Sequence, residues 1–132
     1  MKIKEYSVTT KNGKPVKILA CMNPLLINID DYESYCGAGK GFGDTIIPDK
    51  IWGAKVSPAC WAHDFEWAQC PATWDAYHAA NSRFLHNLQA LVVAQSCNWL
   101  TRNLRLLGCQ SYYRAVDTFG AVVFWRLKNN EN

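Results

Sequence analysis

Residues 57–69 read SPACWAHDFEWAQ, and this stretch decides the fold. Ser57 and Pro58 predict the start of a helix, because serine is a favoured N-cap and proline is tolerated at the first helical position. The helix should end at about Gln69, since Pro71 cannot continue it. In a chain of 132 residues, such a helix forms part of a single modest domain core.

Within this helix, a histidine and an aspartate stand next to each other. Cys60, His63 and Trp67 fall at positions i, i+3 and i+7, so they share one face of the helix. Asp64 lies about 100° further round, which places it in an adjacent but different environment. Taken alone, the pair is weak evidence for catalysis, and a structural role is favoured, as a part-buried histidine beside a carboxylate near the helix N-terminus.

A second stretch, residues 35–43, is rich in glycine and reads YCGAGKGFG. Closely spaced glycines let backbone carbonyls turn towards a common centre, as a hard cation such as Ca2+ requires. The same glycines also fit an anion-binding nest of N–H groups, or a tight turn. Residues 21–56 as a whole read as loop, and a loop of this length is uncommon in a compact domain unless it is functional.

The N-terminal part of the chain predicts a β-hairpin. Residues 3–9 and 15–20 read as short strands. The Asn-Gly pair at 12–13 favours a tight turn between them, because both residues tolerate positive φ. No chemistry is assigned to this hairpin.

Two more helices are expected after the His-Asp helix. The first begins after Thr73, a common N-cap residue, and ends no later than Gly108, with a break near Asn98. The second runs from about Gln110 to Lys128. The sequence therefore predicts a mainly α domain.

Charge and composition narrow the range of functions. The net charge is +3 and the basic residues are scattered, which argues against nucleic acid as a partner. Residues 1–17 lack the apolar stretch of a signal peptide, and the longest apolar run, 90–94, is too short to span a bilayer. The six cysteines nevertheless suit disulfides in an oxidising compartment. A secreted or periplasmic location is therefore favoured, and an intracellular one stays open.

Three stretches together resemble secreted-type phospholipases A2, in particular the bacterial, fungal and phage-like branch. Tyr-Cys-Gly-x-Gly at 35–39 resembles the calcium loop, and Cys-x-x-His-Asp-Phe-x-Trp at 60–67 resembles the catalytic helix. Residues 115–124, AVDTFGAVVF, resemble the third helix of that family, in which an aspartate meets the catalytic histidine across a close helix crossing. Gly120 and Ala121 would permit such an approach.

The resemblance implies one domain over residues 1–132, with a core of two crossing helices. It would comprise the hairpin at 1–20, the calcium loop and the start of the catalytic helix at 35–64, and the helix with the aspartate at 110–128. An extra middle helix would lie between the last two segments.

The resemblance also implies calcium-dependent hydrolysis of the sn-2 ester of glycerophospholipids at a membrane surface. His63 would take a proton from water, and Asp117 would orient the imidazole. Ca2+ and the N–H of Gly37 would stabilise the oxyanion. The ion would be held by four groups: the backbone carbonyls of Tyr35, Gly37 and Gly39 and the carboxylate of Asp64. Whether an activator or inhibitor protein acts on the enzyme is left open.

Two further contacts are implied by the resemblance. A Cys36–Cys60 disulfide would tie the glycine loop to the catalytic helix. Trp67 stands where a tyrosine commonly supports the aspartate, so its indole N–H could support Asp117 instead, with plain core packing as the equal alternative. Trp61 and Trp52 are candidates for a membrane-facing surface, although core packing is the favoured expectation for either one.

Two other functions remain open. The fold and calcium site could belong to a non-catalytic module that binds membranes or a partner, because the phenol at position 67 is lost. A zinc site is the other alternative, with ligands of the usual types at Cys36, Cys60, His63 and Cys70. His78 and His86 are expected on a solvated helix face, without a role.

Overall fold

The computed structural model describes residues 3–9, 15–21 and 50–130. The fold is mainly helical with an N-terminal antiparallel hairpin, as the sequence predicts. Four strands and three helices follow in chain order: β1 Lys4–Thr9, β2 Pro15–Ala20, β3 Lys50–Ile51, β4 Ala54–Lys55, α1 Ser57–Gln69, α2 Trp74–Ala94 and α3 Trp99–Asn130.

Strands β1 and β2 form the predicted hairpin. They pair antiparallel, with Tyr6 opposite Ile18 and Val8 opposite Val16. These four residues are buried, because alternate side chains of a strand point to the same face. The Asn-Gly pair at 12–13 lies outside the described residues.

Two side-chain amides, one within α2 and one at its C-cap, hold the hairpin β1–β2 and strand β4 in place. Asn87 accepts a hydrogen bond from the N–H of Leu19 and donates one to its carbonyl, each 2.7 Å long. Gln95 makes the same pair of bonds to the backbone of Lys55, at 3.0 and 2.8 Å. Each amide therefore pairs with a backbone N–H and C=O that would otherwise need a neighbouring strand as their hydrogen-bond partner.

The second hairpin, β3–β4, lies inside a segment that we predicted to be loop. Its two-residue turn consists of Trp52 and Gly53, whose φ angles are 48° and 82°. A turn of this kind needs positive φ at both residues. Because tryptophan rarely adopts positive φ, a Trp-Gly pair does not predict such a turn from the sequence. Arg105 of α3 donates two bonds to the Trp52 carbonyl, at 3.0 and 3.2 Å, and so fixes the turn.

Helix α1 ends at Gln69, as predicted, but its N-terminus differs by one residue. Val56, not Ser57, occupies the cap position, and no side chain caps the helix. At the other end, the buried ammonium of Lys128 donates to the carbonyls of Ala68 and Cys70, at 3.3 and 2.6 Å. A cation is favourable there, since the C-terminus of a helix carries partial negative charge.

The boundary between α2 and α3 was predicted in part. Thr73 caps α2, with its side chain accepting from the N–H of Ala76 at 3.1 Å. The break near Asn98 is confirmed, since Asn98 caps α3 through a 2.9 Å bond from the N–H of Thr101. The expected boundary at 108–110 is wrong, because α3 runs through it. Gly108 serves close packing instead: a Cβ atom there would lie 2.6 Å from Ile51.

Candidate active site

His63 is buried in a cage formed by helices α1 and α2. The residue is 3% exposed. Its ring centroid lies 4.3 Å from that of Trp67 and 4.6 Å from that of Phe84. The one polar contact of the imidazole within the described residues joins Nε2 to Oδ1 of Asn81, at 2.7 Å. This amide, on α2, is absent from the residues that the sequence singled out.

Asn81 connects His63 to Asp117. The indole Nε1 of Trp67 donates to Oδ1 of Asn81 at 3.2 Å, and Nδ2 of Asn81 donates to Oδ1 of Asp117 at 3.0 Å. An indole N–H can only donate and a carboxylate can only accept, so these two partners fix the orientation of the amide. Nε2 of His63 must therefore carry a proton and donate it to Asn81. Nδ1 is left as the basic nitrogen.

Two expected contacts of Asp117 are consequently wrong. Asp117 does not meet the imidazole directly, because α2 passes between α1 and α3 at this level and inserts Asn81. Trp67 gives its indole N–H to Asn81 rather than to Asp117. Gly120 does contact α1, but through a side chain: a Cβ atom there would lie 2.5 Å from the Trp67 ring. The close crossing of the two helices stays a prediction.

Asp117 also contacts His78 at the surface. The distance from Oδ1 of Asp117 to Nδ1 of His78 is 3.1 Å, and the His78 side chain is 56% exposed. The hydroxyl of Tyr77 lies 3.0 and 2.8 Å from the backbone carbonyls of Val116 and Asp117. His78 is on a solvated face, as predicted, but it has a partner. Tyr77, His78 and Asn81 share one face of α2. This spacing is the sequence feature that could have indicated that polar side chains of α2 meet Asp117.

Asp64 follows His63 in helix α1 and is partly buried. Burial raises the pKa of its carboxyl from 3.8 to about 7. Within the described residues, no group donates a hydrogen bond to this carboxylate or forms an ion pair with it. A carboxylate that is partly removed from water is stabilised by a cation as its partner. The residue therefore fits a role as a calcium ligand.

Burial has the opposite effect on His63. Burial lowers the pKa of the imidazole from 6.5 to about 4. The hydrogen bond to Asn81 raises the pKa, but by less than burial lowers it. The charged form is disfavoured because the ring is removed from water and its polar partner is an uncharged amide.

A buried ion pair supports the helix that carries these residues. Glu66 accepts bonds from Nε of Arg83 at 2.6 Å and from the N–H of Cys21 at 2.9 Å. The Glu66 side chain is 1% exposed. It joins α1 to α2 and to the end of β2, and so fixes the helix turn on which His63 and Asp64 stand.

The glycine loop lies outside the described residues, and with it Tyr35, Gly37 and Gly39. Their roles as calcium ligands and as oxyanion donor stay predictions. Cys60 is disulfide-bonded, and Cys36 lies outside the described residues, so that pairing also stays a prediction.

The zinc alternative has little support in this geometry. A disulfide-bonded Cys60 has no thiolate to offer a metal. In the part of the chain that the structure describes, no three His, Cys, Asp or Glu side chains come together as a metal site.

The two candidate membrane-facing tryptophans differ. Trp61 is fully buried and packs against Tyr6 and Phe65, so core packing, the favoured expectation, is confirmed for it and a place at a membrane surface is not. Trp52 is 66% exposed and remains a candidate. Among the described helices, none is long and apolar enough to cross a membrane.

Comparisons of the chain with protein-family models, with curated proteins and with solved structures found no match.

Proposed function

We propose that the chain is a calcium-dependent phospholipase A2-type hydrolase that cleaves the sn-2 ester of glycerophospholipids. The observation that carries the proposal is the buried imidazole of His63, fixed through Nε2 by Asn81 and followed in the helix by the partly buried carboxylate of Asp64. General-base hydrolysis needs an imidazole with an available nitrogen. A hard cation needs an anionic oxygen close to that base.

In the proposed reaction, Nδ1 of His63 takes a proton from water while the water oxygen bonds to the ester carbonyl carbon. The bond from that carbon to the sn-2 oxygen then breaks. The proton passes from the imidazole to the leaving oxygen, which gives a fatty acid and a lysophospholipid. The rings of Trp67 and Phe84 exclude water from the faces of the imidazole, and Asn81 keeps the proton of Nε2 in place.

The cation would be held by the Asp64 carboxylate together with the backbone carbonyls of Tyr35, Gly37 and Gly39, as the resemblance implies. When bound, calcium would supply positive charge for the oxyanion of the tetrahedral intermediate. The phospholipid surface is the proposed partner, and a secreted or periplasmic location is proposed from the cysteine content.

Fatty-acid release from vesicles of phosphatidylcholine and phosphatidylglycerol, with calcium or with a chelator, tests the proposal. The wild-type protein should release fatty acid with calcium only. His63→Gln should reduce the rate by about 10²–10⁴-fold, which is the usual contribution of a general base. His86→Gln is the matched control, since His86 is an exposed histidine on α2, and it should keep the wild-type rate.

A second candidate is a non-catalytic module that binds membranes or a partner in the presence of calcium. One observation favours it: the imidazole is bonded to the uncharged Asn81 rather than to a carboxylate. An amide does little to balance the charge that an imidazole gains on taking a proton. Vesicle sedimentation that depends on calcium, with no fatty acid released by the wild type, would support this candidate over the hydrolase.

A further inference from the structure

The amide of Asn81 directs both lone pairs of its oxygen and one of its two N–H groups at the candidate site. The residue is fully buried. Its oxygen accepts from Nε2 of His63 at 2.7 Å and from the indole of Trp67 at 3.2 Å, and its nitrogen donates to Asp117 at 3.0 Å. A buried amide with this set of partners is a stable and specific connector between three helices.

We propose that Asn81 is the positioning residue of His63: its oxygen holds the imidazole proton on Nε2, and Asp117 acts on the imidazole only through the nitrogen of this amide. The expected effect of Asn81 on hydrolysis rests on the proposed function. Its structural part concerns the position of a proton and is measured without hydrolysis.

The orientation of Asn81 is fixed from two sides. A rotated amide would place its NH2 group against the indole N–H of Trp67 and its oxygen against the carboxylate of Asp117. Both contacts would leave buried polar groups without partners, which is costly. Asp117 thus determines which end of the amide faces His63, although it does not contact the imidazole.

An exchange of the two side chains tests this arrangement most directly. Asn81→Asp alone places two carboxylates about as far apart as one hydrogen bond, where they repel each other. In the double variant Asn81→Asp/Asp117→Asn, the new amide can again donate to its partner, and the number of charges is that of the wild type. We expect the single variant to unfold at lower urea concentration and the double variant to recover at least half of that loss. Effects that simply add would overturn the proposal, because they would show that positions 81 and 117 are not coupled.

The tautomer of His63 gives the second readout, from ¹⁵N chemical shifts of the neutral imidazole. The wild type and the exchange variant should both show a proton on Nε2 alone. Asn81→Ala removes the acceptor and should give a mixture of the two neutral tautomers. If Asn81→Ala does not fold, the urea comparison above decides. A folded Asn81→Ala protein in which Nε2 alone stays protonated would overturn the proposal.

Hydrolysis separates the positioning role from the proposed function. In Asn81→Ala, kcat should fall by about 10²-fold with little change in KM, because the base is misplaced while the lipid contacts remain. The exchange variant should restore kcat. An unchanged kcat in Asn81→Ala would overturn the positioning role. If the tautomers and the coupling are as expected but the wild type releases no fatty acid, the hydrolase proposal fails and the structural role of Asn81 stands.

Discussion

Gly120 and Trp67 are so close that a Cβ atom on the glycine would lie 2.5 Å from Cη2 of the indole. The indole is 3% exposed and bonded to Asn81, so it cannot move aside without disturbing the site. Glycine at this position therefore sets the distance between α3 and α1, and the geometry around His63 depends on it.

Gly120→Ala should lower the free energy of unfolding, because the added methyl group overlaps the Trp67 ring. Overpacking of this kind costs about 1–3 kcal/mol, which exceeds or offsets the roughly 1 kcal/mol gained from the better helix propensity of alanine. Urea unfolding measures the change. Thr118→Ala, at an exposed position of the same helix, is the control and should leave stability the same or slightly higher. A Gly120→Ala protein as stable as this control would contradict the close contact.

Asp64→Asn should separate calcium binding from stability. Without metal, the variant should melt at the same or a higher temperature, because it lacks a carboxyl whose burial raises its pKa to about 7. Calcium should raise the Tm of the wild type, since a ligand at 100 times its Kd stabilises by about 2.7 kcal/mol, but should not raise that of the variant.

Asp75→Asn is the control for this experiment, because Asp75 is an exposed carboxylate in the first turn of α2. It should keep the full calcium response. An Asp64→Asn protein that still gains stability from calcium would remove Asp64 from the proposed ligands.

The pH dependence of stability should contain a contribution from Glu66. Burial raises the pKa of this carboxyl from 4.5 to about 7, against the opposing effects of Arg83 and of the N–H of Cys21. The folded state then holds the proton more tightly than the unfolded state. The contribution of Glu66 to stability is therefore full below about pH 4.5 and is lost as the pH rises to about 7.

Urea unfolding of the wild type and of Glu66→Gln across this pH range measures the effect. The difference between the two proteins isolates Glu66 from His63, whose lowered pKa acts in the opposite direction. Parallel stability curves for the two proteins would show that Glu66 keeps its charge throughout, held ionised by Arg83.

Asn87→Asp should weaken the attachment of the first hairpin. The change replaces the NH2 group that donates to the Leu19 carbonyl at 2.7 Å with a second acceptor. A buried carbonyl facing a carboxylate oxygen should cost about 1–3 kcal/mol in the free energy of unfolding. The same substitution at the exposed Asn103 of α3 is the control and should have little effect. Equal losses at the two positions would argue that the amide pairing contributes nothing.

Sequence alone was sufficient where a single residue type forces a local structure. Pro71 limits α1 at Gln69, and Thr73 caps α2, because the covalent geometry of proline and the threonine hydroxyl act within a few residues. Gly108 misled the prediction of the α3 boundary. It resembles a helix end, but the space it leaves is filled by Ile51, far away in the chain.

The site was predictable only in its local part. His63 and Asp64 are neighbours in the sequence, and the burial of His63 follows from the face of α1 that it shares with Cys60 and Trp67. Asn81 was missed because an amide within a helix has no neighbour in the sequence that reveals what it bonds to. Its partners come from two other helices, and they meet only after α2 has packed between them.

The amide pairs of Asn87 and Gln95 have a consequence for the order of folding. Asn87 and its partner Leu19 are 68 positions apart in the chain, and Gln95 and its partner Lys55 are 40 positions apart. Closing such long loops costs conformational entropy, which is recovered only once a helix presents the amide at the right place. We therefore expect helix α2 to form before either hairpin docks. Amide protons of β1–β2 and β3–β4 should exchange with solvent sooner than those in the middle of α2, as the hairpins open without unfolding the helices.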